Sequence, residues 1–398
     1  MLRCASAALL GLLTLTGLQS QSPSASIGIF DDQGDVGNVP RVGSGAYNPS
    51  TRTYQVSGAG ENMWAATDAF HFVWKQVSAQ NLSLSADVSI LGHSPEGHRK
   101  AVLMIRQSLD PDSAYADAAL HGEGLTSLQF RERKGAMTHE VESNISAPAS
   151  LRIEKLGDRF YLWVGGKNQP LQFSGGSARV ELEAPFYVGI GVCAHQKDAI
   201  EKATFANVEL KTDIRPSKAH YSTIETVLLS GDARSGFVSN QHLSAAGWTP
   251  DGRSLTYQIK GRREQILFTP LRTAAPIGPP ITSTQDTNEA YVAINQDGNT
   301  QIWRKNADGS RPEQITSGDF NSAQPRLSPD GTSLLFLTYL KDLDSFPDND
   351  EMTLRVLSLA DKTSKPLATF VGGPDSLGPS PWSPDGRRIA FISYQTME

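Results

Sequence analysis

The sequence contains very little cysteine, with 2 Cys among 398 residues. Cys4 lies in an N-terminal segment that we predict to be removed, so the mature chain would keep Cys193 alone. A single cysteine excludes an internal disulfide framework. Cys193 ends an apolar, strand-like run, Tyr187–Cys193, and we expect it to be a small buried side chain and not a nucleophile.

The sequence also lacks long apolar runs, and no segment after the N-terminus is long and apolar enough to cross a bilayer. The N-terminus has Arg3 followed by roughly 14 apolar or small residues, which are too few for a span. A small residue near Ser20 fits signal cleavage. We therefore predict a signal peptide over residues 1–20 and, for an exported chain without disulfides, a periplasmic or secreted protein.

Neither sign of charge dominates. The chain has 36 Lys and Arg against 42 Asp and Glu, a formal net charge of −6, and loss of Arg3 with the signal would make it −7. Interspersed charges argue against nucleic acid as a partner. The sequence also lacks a Gly-x-Ser-x-Gly elbow and a phosphate-binding glycine loop, so it offers no local nucleophile or nucleotide motif.

What the sequence does contain is one short phrase repeated three times, at residues 248–252, 327–331 and 382–386. Each copy has Ser or Thr before Pro-Asp-Gly, and an apolar run follows. Pro presets φ and Asp-Gly tolerates a tight reversal, so each phrase predicts a turn before a strand. We assign a structural role to its residues: Pro250, Asp251, Gly252, Pro329, Asp330, Gly331, Pro384, Asp385 and Gly386.

The spacing of these phrases predicts a small ring of sheets. The turn aspartates are 79 and 55 residues apart (251 to 330, 330 to 385), whereas one propeller blade takes roughly 40–45 residues. A degraded copy at 284–287 would fill the first interval. The chain stops two strands into its last blade, so we expect residues 223–229 and 236–238 to pair with 389–394 and close the ring.

This count gives about four blade equivalents. The resemblance of these repeats to TolB-type propellers, described below, implies two further blades near residues 273–280, and their absence predicts a small or imperfectly closed propeller. A truncated copy that assembles poorly and does no work is the alternative.

Residues 27–211 have a different pattern, with short segments that alternate apolar and polar side chains and no crossover helix between them. Strands with one wet and one dry face are typical of a sandwich. The predicted fold class is therefore all-β. We expect a β-sandwich over 27–211, a linker over 212–221 and the propeller over 222–398.

Two family resemblances agree with this division. Residues 101–115, 125–131 and 186–191 resemble the concanavalin-A-like jelly-roll modules of bacterial extracytoplasmic proteins. Residues 221–398 resemble TolB-type propellers, through the repeated phrases and through residues 301–310 followed by 313–316. The resemblances imply a jelly roll followed by a propeller, and no particular reaction.

A jelly roll offers a concave face on which aromatic rings can stack on sugars and polar side chains can bond hydroxyl groups. We predict ligand contacts from residues on wet faces or near strand ends: Trp64, Arg106, Tyr115, His121, Gln129, Arg131 and His195. The expected function is an exported, non-enzymatic binding protein. Its jelly roll would bind a glycan or envelope component, and its propeller would dock a protein or peptide.

An oligosaccharide hydrolase or lyase is the alternative function. Glycoside hydrolysis needs two carboxylates about 5–9 Å apart, and Glu132, Glu140 and Glu142 are available by type. We assign no catalytic residue. No cofactor is expected, although Asp342, Asp344, Asp348 and Asp350 form an acidic loop that could hold calcium if it is not simply solvated.

Overall fold

The computed structural model of the protein describes residues 27–397 except 144, 146, 167–168, 218, 232–233, 241, 260–266, 271–288, 297–298, 307 and 341–345. All regular elements of the described chain are β-strands, which confirms the predicted all-β class. Within this described part, no helical segment has the length and apolar character that a membrane crossing requires.

The N-terminal unit is a jelly-roll sandwich of two sheets. One layer contains, in spatial order, β1 (Asp32–Val36), β6 (Phe70–Val77), β15 (Phe186–Cys193), β8 (Lys100–Arg106), β9 (Tyr115–His121), β10 (Thr126–Arg131) and β11 (His139–Ser143). The other contains β14 (Gln172–Arg179), β13 (Arg159–Gly165), β12 (Ser150–Leu156), β7 (Leu82–Leu91), β16 (Gln196–Thr212), β3 (Thr53–Gly60) and β2 (Ser44–Asn48). A two-stranded hairpin, β4 (Met63–Trp64) and β5 (Thr67–Asp68), lies outside both layers.

The core of the sandwich is filled by the inward side chains of both layers. Alternation along β9 sends Ala116, Ala118 and Leu120 into this core. Tyr115 and Ala119, of the other parity, belong to a second apolar cluster on the outer side of the same sheet. Part of this outer side is therefore covered by another element, and only the polar groups outside the covered part stay accessible.

Three separate sheets lie in the part of the C-terminal unit that the structure describes. They are β19 (Leu243–Trp248), β20 (Ser254–Ile259) and β21 (Leu267–Pro270); β22 (Glu289–Gln296), β23 (Asn299–Asn306) and β24 (Glu313–Gln314); and β25 (Phe320–Leu327), β26 (Ser333–Leu340), β27 (Asp350–Ser358) and β28 (Ser364–Gly372). All pairs within them are antiparallel. This is the arrangement of propeller blades.

The three repeated phrases form one and the same turn. In the first copy the Thr249 hydroxyl donates to Asp251 at 2.6 Å, and the N–H of Arg253 donates to the same carboxylate at 3.0 Å. Ser328 with Asp330, and Ser383 with Asp385, repeat this geometry. The glycines that follow have φ of 65°, 69° and 68°, the left-handed region in which a side chain is disfavoured.

The tryptophans before two of these turns connect neighbouring blades. The Trp248 indole donates to the carbonyl of Pro381 at 3.0 Å, and the Trp382 indole donates to the carbonyl of Arg326 at 3.2 Å. The phrase therefore specifies both a turn and a contact between blades.

The closing pair of the ring is present as expected. Strand β17 (His220–Leu228) pairs antiparallel along its whole length with β29 (Arg388–Thr396), and its other edge pairs with β18 (Arg234–Asn240). These strands form a fourth blade from both ends of the unit. The predicted pairing is confirmed.

The sequence gives no hint that this blade also continues into the jelly roll. Strand β18 pairs parallel with β11, which joins the two units into one ten-stranded sheet. The Tyr161 hydroxyl donates to the carbonyl of Thr396 at 3.2 Å, and Met397 is buried beside Tyr161 and Phe173. The units thus share a packed seam.

Several sequence expectations fall outside the described residues. The segments at 273–280 and 284–287, together with Asp342 and Asp344, lie outside the described residues.

Candidate functional site

The outer side of the jelly-roll sheet carries a row of buried polar groups, which we call the polar face: Lys100, Asp117, His121, Gln129 and Glu140. Strand pairing places them together, since Asp117 is opposite Gln129, Gln129 is opposite Glu140, and Lys100 is opposite His121. All but Glu140 are fully or almost fully buried.

Lys100 connects this face to the hairpin above it. Its ammonium donates to Gln129 Oε1 at 3.2 Å and to Asn62 Oδ1 at 3.1 Å, and it lies 5.5 Å from the centre of the Trp64 ring. Gln129 in turn donates to Glu140 at 2.8 Å. The chain of contacts runs from the floor of the sheet to the half-buried Trp64.

Three groups on this side of the sheet have hydrogen-bonding capacity that no other described residue satisfies: both carboxylate oxygens of Asp117, Nδ1 of His121 and the hydroxyl of the neighbouring Ser127. Asp117 and Ser127 have no exposed surface, and His121 is 4% exposed. Burial raises the pKa of Asp117 well above its ordinary value, and the charge of Lys100 opposes this only in part. Buried polar groups without partners are costly and mark places where water or a ligand is to be expected.

One end of the face is closed by the hairpin β4–β5. Asp68 on this hairpin accepts bonds from Arg131 at 2.7 and 3.0 Å and from Arg106 at 3.3 Å, with no exposed side-chain surface on any of the three. Arg131 also donates to the carbonyl of Ala65 in the hairpin turn at 3.1 Å. The two guanidinium groups therefore clamp the hairpin onto the sheet.

The other end opens to solvent between three histidines, His98, His121 and His195, which we call the histidine rim. The ring of His98 lies 5.9 Å from that of His121 and 5.4 Å from that of His195. The side chain of His98 is 57% exposed, that of His195 is 28% exposed and that of His121 is 3% exposed, so His98 faces solvent and His121 forms the floor of the rim.

Carboxylates surround the rim. Glu96 is 3.3 Å from His195 Nδ1, Glu123 is 4.0 Å from His98 Nδ1, and Glu140 is 3.8 Å from His121 Nε2. The Asn62 amide lies 3.1 Å from Nε2 of His195. The rim thus presents both donors and acceptors to whatever lies between its rings.

Burial, followed by the nearby charges of Lys100 and the other rim histidines, lowers the pKa of His121 well below its ordinary value. Burial also lowers the pKa of His195, although Glu96 acts in the opposite direction. At neutral pH these two imidazoles are therefore uncharged, and each keeps a nitrogen lone pair that can accept a hydrogen bond.

The structure divides the residues predicted from sequence into two groups. His121, Gln129, His195 and Trp64 come together around the rim and the face. Arg106, Tyr115 and Arg131 were expected on wet faces or near strand ends. All three do lie at strand ends, but they are buried beneath the hairpin. The expectation that their side chains are accessible is wrong, because Asp68 and the Ala65 carbonyl hold the hairpin over them.

Sequence reasoning missed Lys100, Asp117 and the rim residue His98. A signal for Asp117 did exist, since a carboxylate stands in an otherwise apolar strand at the same parity as Tyr115 and His121. His98 ends a segment that contains glycine and proline, residues 92–98, and its approach to His195 depends on long-range folding.

The propeller unit has a groove of its own, with a volume of about 390 Å³. It lies where β17, β19 and β29 meet the loop before β27, and His220, His242, Asp348, Asp375 and Tyr394 line it. Asp350 is exposed at the start of β27. Among the described residues no group of three or more His, Cys, Asp or Glu side chains has the arrangement of a metal site.

No protein-family model matches the chain. An uncharacterized protein of Agrobacterium fabrum is 27% identical over 163 residues, which are 38% of this chain and 55% of that protein. The chain therefore spans about half the length of the curated relative that it matches.

Solved structures with both architectures are similar to parts of the chain. A putative TolB from Agrobacterium tumefaciens is 17% identical with a TM-score of 0.27, over 80% of this chain and 99% of that one. A carbohydrate-binding module from Bacillus subtilis is 17% identical with a TM-score of 0.32, over 47% and 100%. An alginate lyase from Klebsiella pneumoniae is 10% identical with a TM-score of 0.29, over 42% and 84%. What each of these proteins binds or cleaves is a property of that protein alone.

Proposed function

We propose that the protein is an exported binding protein whose jelly roll holds a glycan at the histidine rim. The observation that supports this most is the convergence of the three rim imidazoles with an aromatic ring, Trp64, above buried groups that lack partners. A sugar ring stacked on the indole would direct its hydroxyl groups to imidazole, amide and carboxylate.

Binding is a better match than hydrolysis. Asp117 and Glu140 lie at the same level of the sheet, two strands apart, so their backbones are roughly 10 Å from each other. A hydrolase would need both carboxyl groups to reach one glycosidic bond. Asp117 has no exposed surface and Tyr115 is closed off by the hairpin, so neither can deliver a proton to a bound chain.

The test is calorimetric titration of the full mature chain with an array-selected glycan. Trp64→Ala and His195→Ala should each weaken binding by about tenfold, since one aromatic contact or one hydrogen bond is worth roughly that factor. His93→Ala, an exposed histidine outside the rim, is the matched control and should bind as the parent does. Equal affinity of all three variants would refute the site, and release of new reducing or unsaturated ends would establish the enzyme instead.

The propeller's proposed role is to dock a protein or peptide. The groove around Asp348 and Asp375 supports a basic peptide, because two carboxylates face it beside His220 and His242. Fluorescence anisotropy with labelled lysine-rich and glutamate-rich peptides tests this. Saturable binding of the basic peptide, lost in Asp348→Asn, is expected, and preference for the acidic peptide would contradict it.

Export is the third part of the proposal. Expression of the whole chain in a bacterial host, followed by N-terminal mass analysis of the envelope and medium fractions, should recover a chain that begins near residue 20. An uncut chain retained in the cytoplasm would contradict it.

A further inference from the structure

The charges around the histidine rim limit the sugar that can enter. Glu96, Glu123 and Glu140 each lie within 4.0 Å of a rim imidazole, whereas the one cation among the polar-face residues is Lys100. The ammonium of Lys100 is already engaged by Asn62, Gln129 and the carbonyl of Met63. The nearby Arg99 is paired with Glu201 at 2.8 Å and adds no net charge.

Around the opening, the three carboxylates of Glu96, Glu123 and Glu140 face a single ammonium, that of Lys100, so acidic side chains outnumber basic ones there. A ligand carboxylate placed there would meet like charge in a partly desolvated site. A sugar hydroxyl or ammonium would instead donate to these carboxylates. At the floor of the rim, Nδ1 of His121 has no partner among the described residues and is available to bond a sugar hydroxyl.

We infer that the histidine rim takes sugars without a negative charge, neutral or carrying a free amino group, and rejects uronates. This deepens the proposed glycan-binding function and rests on it. The rejection comes from the fixed rim carboxylates, and it is therefore electrostatic and sensitive to salt.

The experiment compares three oligosaccharides of one backbone and length that differ only in charge: a neutral hexose oligomer, its 2-amino analogue and its uronate analogue. Gluco, galacto and manno series are titrated into the full mature chain at neutral pH. At about 20 mM salt the uronate should bind at least about tenfold more weakly than the neutral oligomer, and the amino analogue at least as tightly. The difference should shrink at about 500 mM salt.

Two variants assign the effect to the rim. Glu123→Gln removes the most exposed rim carboxylate and should narrow the gap between neutral and uronate oligomers. Glu209→Gln is the matched control, since Glu209 is similarly exposed but lies on β16 in the opposite sheet, and it should leave the gap as in the parent. Equal or tighter binding of the uronate at low salt overturns this inference while the glycan-binding function stands. Failure of all nine oligomers to bind overturns both.

Discussion

Asp68→Asn tests whether the buried ion triplet holds the hairpin over the jelly-roll sheet. The substitution keeps the shape of the side chain and removes its charge, leaving Arg106 and Arg131 buried without a counter-charge. Removing one partner of a fully buried pair typically costs about 3–5 kcal/mol. That is a large part of the roughly 5–15 kcal/mol by which a folded domain is stable, so the urea midpoint should fall sharply.

Urea unfolding of the full chain, followed by circular dichroism and tryptophan fluorescence, measures the change. The matched control is Asp110→Asn, which breaks an exposed pair with Lys134 at 2.6 Å. Such surface pairs contribute little, so the midpoint of the control should stay close to that of the parent. If Asp68→Asn unfolds at the same urea concentration as the control, the clamp does not stabilise the fold and the reasoning is refuted.

Three further predictions concern the seam, the turns and the thiol. Gly175→Ala should lower the free energy of unfolding by about 1–3 kcal/mol, and the melting temperature with it. The new Cβ would lie 2.4 Å from Thr223 Cγ2 across the seam, and the φ of +91° is one that a residue with a side chain rarely adopts. Thr223→Ser in the same chain should restore part of the loss, and no rescue would contradict this contact. Hydrogen bonds from the Thr249 hydroxyl and then the Arg253 N–H lower the pKa of Asp251, so the stability that its carboxylate contributes is complete above pH 3.8 and is lost as the pH falls through the lower pKa of the folded state. Asp251→Asn should therefore reduce the fall of the melting temperature at acid pH. An unchanged fall would show that these bonds do not stabilise the turn. Burial raises the pKa of Cys193 to about 11, so a disulfide reagent at neutral pH should label it only once denaturant is added, and immediate labelling would disprove its burial.

The sequence predicted those parts of the fold that depend on local patterns. The repeated Pro-Asp-Gly phrase predicts its turn because every bond of that turn joins residues at most five apart. Alternation predicts which side chains of β9 share a face, and Tyr115 and His121 do lie on the same one. The need to pair a free strand edge predicts that β17 meets β29.

What the sequence could not predict depends on long-range partners. Asp68 is 63 residues from Arg131 and 38 from Arg106, so no pattern along the chain indicates that a hairpin covers their strands. Parity places a residue on a face, but it does not say whether another element lies over that face. The parallel pairing of β11 with β18 is hidden for the same reason, because each edge alone is an ordinary strand.

The most direct test of the glycan-binding account is hydrogen–deuterium exchange of the full mature chain, with and without a saturating glycan selected by array. Glycan binding at the histidine rim should slow exchange in the peptides that carry Asn62–Trp64, Glu96–Lys100, His121–Gln129 and His195, with the propeller sheets unchanged. Protection confined to the propeller, or to the opposite jelly-roll sheet, would contradict it.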